Sequence, residues 1–211
     1  MPTRFTARGA RTRNPRGQGE RLRAALIEAA IELLSDLGRV DALSVRAVTA
    51  RAGVTPTALY LHFADKDQLL AAVKERCFGE LRRYVLTAEH RAAPDARAQA
   101  DAMCAAYLQF AADLPGHYRV LFHTRRMPTE PPDQSGLTER DSPANAAESF
   151  NDLVRGVGRC LAEERDAFQT ATLVWAGMHG YANLRQTLPR FLLPAPESYV
   201  KQLLDAHLRS A

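Results

Sequence analysis

The sequence predicts an all-α fold, and three observations predict it. Apolar residues recur at three- and four-residue steps through most of the chain. No segment alternates with a period of two over a convincing length, and residues that start and stop helices fall between the periodic segments. About nine helices result, without internal repeats.

Taken in order, "ERLRAALIEAAIELLSDLG" carries Leu22, Leu26, Ala29, Ala30, Leu33 and Leu37 on one stripe, with Gly38 as its stop. "LSVRAVTARAG" is a second, shorter helix, with Ser44 as N-cap, Val45 and Val48 as its apolar face, and Gly53 ending it. Thr55 is placed to cap a third helix and Pro56 sits in the first turn, where proline is tolerated; this helix is short, roughly Pro56 to Leu61. Asp65 then caps a long helix through "KDQLLAAVKERCFGELRRYVL".

Beyond Pro94, "DARAQADAMCAAYLQFAADL" and "GHYRVLFH", the latter started by Pro115, keep the helical period. "TRRMPTEPPDQSGLTERDSPAN" interrupts it with four prolines and few apolar residues, the signature of a mobile loop. "AAESFNDLVRGVGRCLAEE", "DAFQTATLVWAGMHGYANLRQTL" and "APESYVKQLLDAHLRS" resume it.

Composition narrows the class. The 211 residues are 46% hydrophobic and 25% charged, the balance of an ordinary globular protein. The longest apolar runs, such as Leu69 to Val73, are far short of the roughly 20 residues a membrane span needs. The arginine-rich N-terminus lacks the apolar centre of a secretory signal and the amphipathic stripe of a transit peptide. Cys77, Cys104 and Cys160 are widely spaced, without metal-ligand spacing, and read as free thiols of the cytoplasm. No metal site and no cofactor motif is expected.

The net charge is +4, unevenly spread. Residues 1–66 hold 11 Lys or Arg against 6 Asp or Glu, and the remainder 17 against 18. The whole positive excess therefore lies in the first third, which suits a polyanion there and a neutral partner for the rest; a solvated basic tail would look the same. Arg4, Arg8, Arg11, Arg13 and Arg16 form an arm (residues 1–19) with no apolar content to fold upon. It either adds phosphate or minor-groove contacts or is a disordered tail.

Two helices joined by a glycine-containing turn, preceded by a packing helix and a basic arm, make the plan of a helix-turn-helix DNA reader. The second of the pair must be short to lie in a major groove only about 12 Å wide. Leu59 and Phe63, four apart, face inward, while Tyr60 and His62 read as outward-facing, or as a half-buried packing residue and a helix-end cap.

"LSVRAVTARAGVTPTALYLHFADKDQLL" closely resembles the DNA-binding domain of TetR-family transcriptional regulators, through the Gly53 turn, "LYLHF" at 59–63 and "DKDQLL" at 65–70. "WAGMHGYANL" at 175–184 resembles a Trp-His-Gly signature of one branch of that family. The resemblance implies a DNA-binding domain over residues 20–66 and a helical ligand-binding and dimerisation domain over 67–211. It implies phosphate contacts by Tyr60, His62 and Lys66, donors that position without reading bases. Arg46 matches a position that reaches a guanine edge, and Thr55, Pro56, Thr57 and Ala58 lie at the base-facing helix. Leu61 departs from the aromatic or polar residue common there and offers only an apolar contact, to a thymine methyl. The implied function is a repressor on a palindromic operator in double-stranded DNA, released by a small inducer.

The same resemblance implies a homodimer through the last two long helices. Ala176, Gly177 and Gly180 permit close helix approach there, and Val200, Leu203, Leu204, His207 and Leu208 form a stripe with little chain left to cover it. Met103, Tyr107, Phe110, Tyr118, Phe122, Phe150, Trp175 and Met178 read from their spacing as core; the resemblance makes Met103, Tyr107, Phe110, Phe122, Trp175, Met178 and His179 the candidate ligand site, with His123 a second polar handle. Two other classes compete. An enzyme would need a nucleophile, metal or phosphate-loop motif, and none is present; "GVGRC" at 156–160 has no strand before it. A helical adaptor or small-molecule-binding protein without specific DNA binding would not need the N-terminal basic excess.

Overall fold

The computed structural model describes residues 18–122, 144–162 and 165–208. Among them are nine helices and no strand: α1 (Gln18–Leu37), α2 (Val45–Arg51), α3 (Pro56–Tyr60), α4 (Lys66–Arg91), α5 (Ala96–Asp113), α6 (Pro115–Phe122), α7 (Ala144–Gly158), α8 (Ala167–Thr187) and α9 (Pro196–Leu208). The all-α expectation holds. Residues 1–17 of the basic arm, with all five of its arginines, and residues 123–143, which are His123 and most of the proline-rich stretch, lie outside the described residues, while Gln18 and Gly19 open α1 and Ala144 and Asn145 open α7.

Local chemistry ends each element where the sequence places a cap. Gly38 (φ 64°) and Gly53 (φ 69°) both adopt the left-handed conformation that side chains disfavour, and Gly38 donates its N–H to Leu34 O at 2.9 Å. Ser44 Oγ accepts from Ala47 N at 3.1 Å. Asp65 accepts from Gln68 N at 2.8 Å while Gln68 Oε1 accepts from Ala64 N at 3.0 Å, a reciprocal cap at the start of α4. Thr55 occupies the cap position of α3 but makes no side-chain capping bond, unlike the sequence expectation.

Two cores result. In the first, Leu26, Ile31 and Leu34 of α1 pack against Leu43, Val48, Leu59 and Phe63. Leu69, Val73 and Cys77 complete it from α4, so the N-terminal packing unit runs through the first turns of that helix, well past residue 66. The second core joins Leu81 of α4 to Tyr107 and Phe110 of α5, Tyr118 of α6, Val157 of α7, Val174 and Met178 of α8, and Val200 and Leu204 of α9. Helix α4 thus belongs to both. Burial drives the Cys77 and Cys104 thiols up to about 12, so both stay protonated and inert.

Helix α6 is the other bridge. Tyr118 is buried in the second core and Val120, two residues on, in the first. Gly116 lies against Ser35 of α1, where an added Cβ would approach Ser35 Oγ to 3.3 Å, and Arg119 donates to Ser35 O at 3.3 Å. Ion pairs tie α7 to α4: Arg82 holds buried Asp152 at 2.8 Å and also Glu148, and Arg159 holds Glu89 at 2.6 Å.

The apolar stripe on α9 is largely used within the chain itself. Val200 and Leu204 are spent on the chain's own core, and Leu203 and Leu208 pack on that core, because α8 and α5 close over them. Gly177 is the reason α8 can approach so closely: an added Cβ would lie 2.7 Å from Leu203 Cδ1, and Tyr199 OH donates to Gly177 O at 2.8 Å. The surface this leaves open is on α8, where Ala176 and Gly180 are exposed and nothing lies within 4 Å of a Cβ built on Gly180.

Since nothing lies within 4 Å of a Cβ at Gly53 either, an added methyl meets only backbone strain. Gly53→Ala is expected to lower stability by about 1 kcal/mol, and Gly53→Asn by less, because asparagine tolerates this conformation. Denaturant midpoints of the purified variants check it; equal midpoints for Gly53→Ala and the parent would remove the turn as a constraint.

Candidate nucleic-acid interface and effector cluster

The α2–turn–α3 unit presents one continuous outward surface. Leu59 is buried and fixes the inner face of α3, leaving Thr55, Pro56 and Thr57 exposed and Ala58 half-buried on the outer side. Tyr60 is 54% and Leu61 78% exposed, so the two largest side chains at the end of α3 face solvent. Neither side chain serves the core of the head, so both stand on its outer surface.

Arg46, one residue into α2, is exposed and makes no ion pair among the described residues, whereas Arg51 of the same helix is bound to Glu32 at 2.8 Å. The difference matters: Arg51 is charge-compensated within the chain and Arg46 retains its full fork of donors. His62 is half-buried, its Cε1 within 3.6 Å of a Cβ built on Gly19, so it sits against the start of α1. On that side Arg23 stacks its guanidinium 5.2 Å from the Phe63 ring centre.

Lys66 opens α4, where the positive end of the helix dipole disfavours a cation. The structure supplies an offset: Lys66 Nζ donates to Leu43 O at 3.3 Å, just before α2 begins. That bond anchors the ammonium beside the reading surface and leaves further donors on it for an anion. Sequence reasoning placed Lys66 here but had no signal for its backbone partner, which is 23 residues away.

The second group of candidates lies in the C-terminal core. His179 is the hub. Its Nδ1 is hydrogen-bonded to the Tyr118 hydroxyl at 2.9 Å and lies 3.3 Å from that of Tyr107; Tyr118 OH also donates to His179 O at 3.4 Å. Phe122 packs edge-on against the His179 ring at 4.9 Å, and Trp175 tilts over it at 5.5 Å. Phe150 meets Trp175 at 6.1 Å and Phe168 at 5.3 Å, carrying the ring system to the surface, where Phe168 is 62% exposed.

Burial pushes the Tyr107 phenol well above its ordinary pKa and that of Tyr118 up to about 12. Both hydroxyls therefore stay protonated and act as neutral hydrogen-bonding groups within an aromatic wall. Tyr107, Phe122, Trp175 and His179 converge as a group. Met103, Phe110 and Met178 are fully buried instead: Phe110 faces Tyr84 at 5.7 Å, and a Cβ on Gly156 would strike Met103 Sδ at 2.6 Å. Tyr118, read from sequence as one aromatic among several, proves central, and Phe168 carried no sequence signal. Among the described residues no group of three or more His, Cys, Asp or Glu side chains is arranged to hold a metal.

Comparison with known proteins places both halves. Residues 26–73 match the family model described as bacterial regulatory proteins, tetR family, and residues 100–209 match the Tetracyclin repressor-like, C-terminal domain. Among solved structures, the chain is similar to a protein of unknown function from a Rhodococcus species, at 26% identity and TM-score 0.66, covering 89% of this chain and 93% of that one. A TetR family transcription regulator from Marinobacter aquaeolei shares 21% identity and TM-score 0.70, covering 91% and 98%. The fatty acid degradation regulator FadR from Bacillus halodurans shares 14% identity and TM-score 0.68, covering 92% and 97%. With its DNA-reading head and its C-terminal domain each matched, the chain belongs to the TetR family of transcription regulators.

Proposed function

We propose that this regulator is a repressor that binds a palindromic operator as a homodimer and leaves it when a small, largely apolar ligand enters the C-terminal domain. The observation that carries the first half is that Arg46 of α2 and Tyr60 and Leu61 at the end of α3 are exposed, with Lys66 bonded back to Leu43 O before α2, and that neither Arg46 nor Lys66 makes an ion pair among the described residues. Arg46 reads a guanine edge; Tyr60, His62 and Lys66 hold phosphates; Thr55, Pro56, Thr57 and Ala58 border the bases; Leu61 meets a thymine methyl. Pairing about a two-fold axis through the last two long helices sets two such heads roughly 34–36 Å apart, one helical turn of DNA.

Release needs a ligand that prefers the non-binding arrangement of the heads. The ring cluster about His179 supports that role, because its walls are aromatic and its polar groups are neutral phenols and an imidazole. A phosphorylated ligand would want fixed cations, and among the described residues Tyr107, Tyr118, Phe122, Trp175 and His179 of this wall include no Lys or Arg. The apolar ligand class rests on these residues alone; a likeness to the Bacillus halodurans regulator at 14% identity transfers its fold and not its ligand. Helix α6 supplies the linkage: Tyr118 and Phe122 touch the cluster, while Val120 and Arg119 touch the N-terminal core and α1. A ligand that displaces Tyr118 from His179 therefore pulls on the seam that orients the head.

Binding to the chain's own upstream DNA is expected to fall steeply as salt rises, with affinity far above that for random duplex. Fluorescence anisotropy across a salt series measures both, and equal affinity for random duplex would refute the operator. Lys66→Ala and Tyr60→Phe should weaken binding to all sequences alike, whereas Arg46→Ala should also relax discrimination at one base pair by about 1–3 kcal/mol. A uniform loss for Arg46→Ala would reassign it to a phosphate. Trp175, the chain's single tryptophan, reports on the cluster, so compounds that release DNA should change its emission at the same concentrations. Release with unchanged emission, retained in a folded Trp175→Ala variant, would place the ligand elsewhere.

A further inference from the structure

Helix α7 is engaged from two opposite sides. Glu148, Asp152, Arg155 and Arg159 follow one another at steps of four, three and four, which sets them on one stripe of the helix. That stripe meets α4: Arg82 Nε donates to Asp152 Oδ2 at 2.8 Å and Arg82 Nη1 to Glu148, while Arg159 Nη2 donates to Glu89 at 2.6 Å. Phe150, two residues before Asp152, falls on the other side of the helix. There its ring meets Trp175 edge-on at 6.1 Å and Phe168 at 5.3 Å. One helix thus touches the effector cluster with a ring and grips α4 with charges.

The two ends of α7 are held differently. Towards its C-terminus, Gly156 crosses α5 so closely that an added Cβ would stand 2.6 Å from Met103 Sδ, and Arg159 is tied to Glu89. That end is pinned. Asp152 and Phe150 lie about 6 Å and about 9 Å from Gly156 along the axis, on the half that carries the ring contacts. A displacement of the Phe150 ring therefore swings Asp152 and Glu148 about the Gly156 crossing.

The Arg82 fork transmits that swing. Asp152 is 5% exposed and both its oxygens are taken: Oδ2 by Arg82 of α4, Oδ1 by Arg155 of its own helix at 2.8 Å. Apolar side chains slide past one another at little cost, but a charge-assisted fork holds only at short range and in line. Letting go would leave the buried carboxylate with a single partner, a costly state away from water. Arg82 therefore follows α7, and it stands five residues beyond Cys77, the last α4 side chain buried in the head core.

We propose that Arg82 is a positioning residue that couples the effector cluster to the reading head through α7, by gripping Asp152 and Glu148 together. The proposal rests on the ligand-released regulator described above and adds a second route beside α6, with the side chain that carries it. Coupling between two sites is reciprocal, so DNA held by the head must also be felt at Trp175.

The test reads Trp175 emission of the full chain as duplex from its own upstream region is added, with random duplex as the control. The parent is expected to shift its emission with the upstream duplex only. Arg82→Met keeps an aliphatic stem in place and leaves Asp152 bonded to Arg155, so it should still bind that duplex but lose most of the shift. Glu148→Gln removes one arm of the fork at an exposed position and should lose part of it. Circular dichroism identifies which variants are folded; should Arg82→Met unfold, Glu148→Gln decides alone. A full shift in a folded, DNA-binding variant of either kind overturns the proposal and leaves α6 as the carrier. A parent that binds the upstream duplex selectively with unchanged emission overturns it as well. Equal binding of both duplexes by the parent would instead remove the regulator reading on which the proposal rests.

Discussion

Every other contact in this molecule depends on one helix being buried twice. Helix α4 places Leu69, Val73 and Cys77 in the core of the reading head and Leu81 in the core of the C-terminal domain. At 1.5 Å per residue its 26 residues extend about 39 Å as one unbroken helix. Neither core is complete without it, so the head cannot rotate freely on the body. It can only move as α4 tilts, and α4 is held at its start by the Asp65–Gln68 cap and along its second half by Arg82 and Glu89.

Helix α6 makes that tilt conditional. Eight residues long, it sends Tyr118 one way into the ring cluster and Val120 the other way into the head. Helix α6 meets α1 through Gly116 against Ser35 and the Arg119 bond to Ser35 O, beside Val120 buried in the head core. Two well-packed bodies that share α4 and α6 have few intermediate arrangements, since dense cores resist gradual deformation. Burial also holds the His117 imidazole of this helix below its usual pKa, keeping another charge out of the seam.

Much of this was legible in the sequence, and the exceptions have a common cause. Periodicity and caps located the helices because those signals are local: Gly38, Ser44, Gly53 and Asp65 act on neighbours within four residues. Buried Leu59 and Phe63 were legible for the same reason. What the sequence concealed was pairing over distance. The bond from Lys66 to Leu43 O, the convergence of Tyr107 and Tyr118 on His179, and the fit of Leu203 against Gly177 all join residues far apart in the chain. The stripe on α9 shows the limit well: its apolar period was plain, but the period cannot say whether an apolar face meets its own chain or another.

The exposed pair at the tip of α3 has a consequence for thermodynamics. Tyr60 and Leu61 hold apolar surface in water, and in the proposed complex docking into the groove would remove it. Such burial adds a term that ions do not screen and that carries a negative heat-capacity change. Binding to unrelated DNA is held by phosphate contacts alone and lacks that term. As ionic strength rises, loose association should therefore fade faster than the fitted complex, and warming from the cold should strengthen the fitted complex selectively. On the proposed reading, a leucine at that helix end would make selectivity a property of the solvent as much as of the bases.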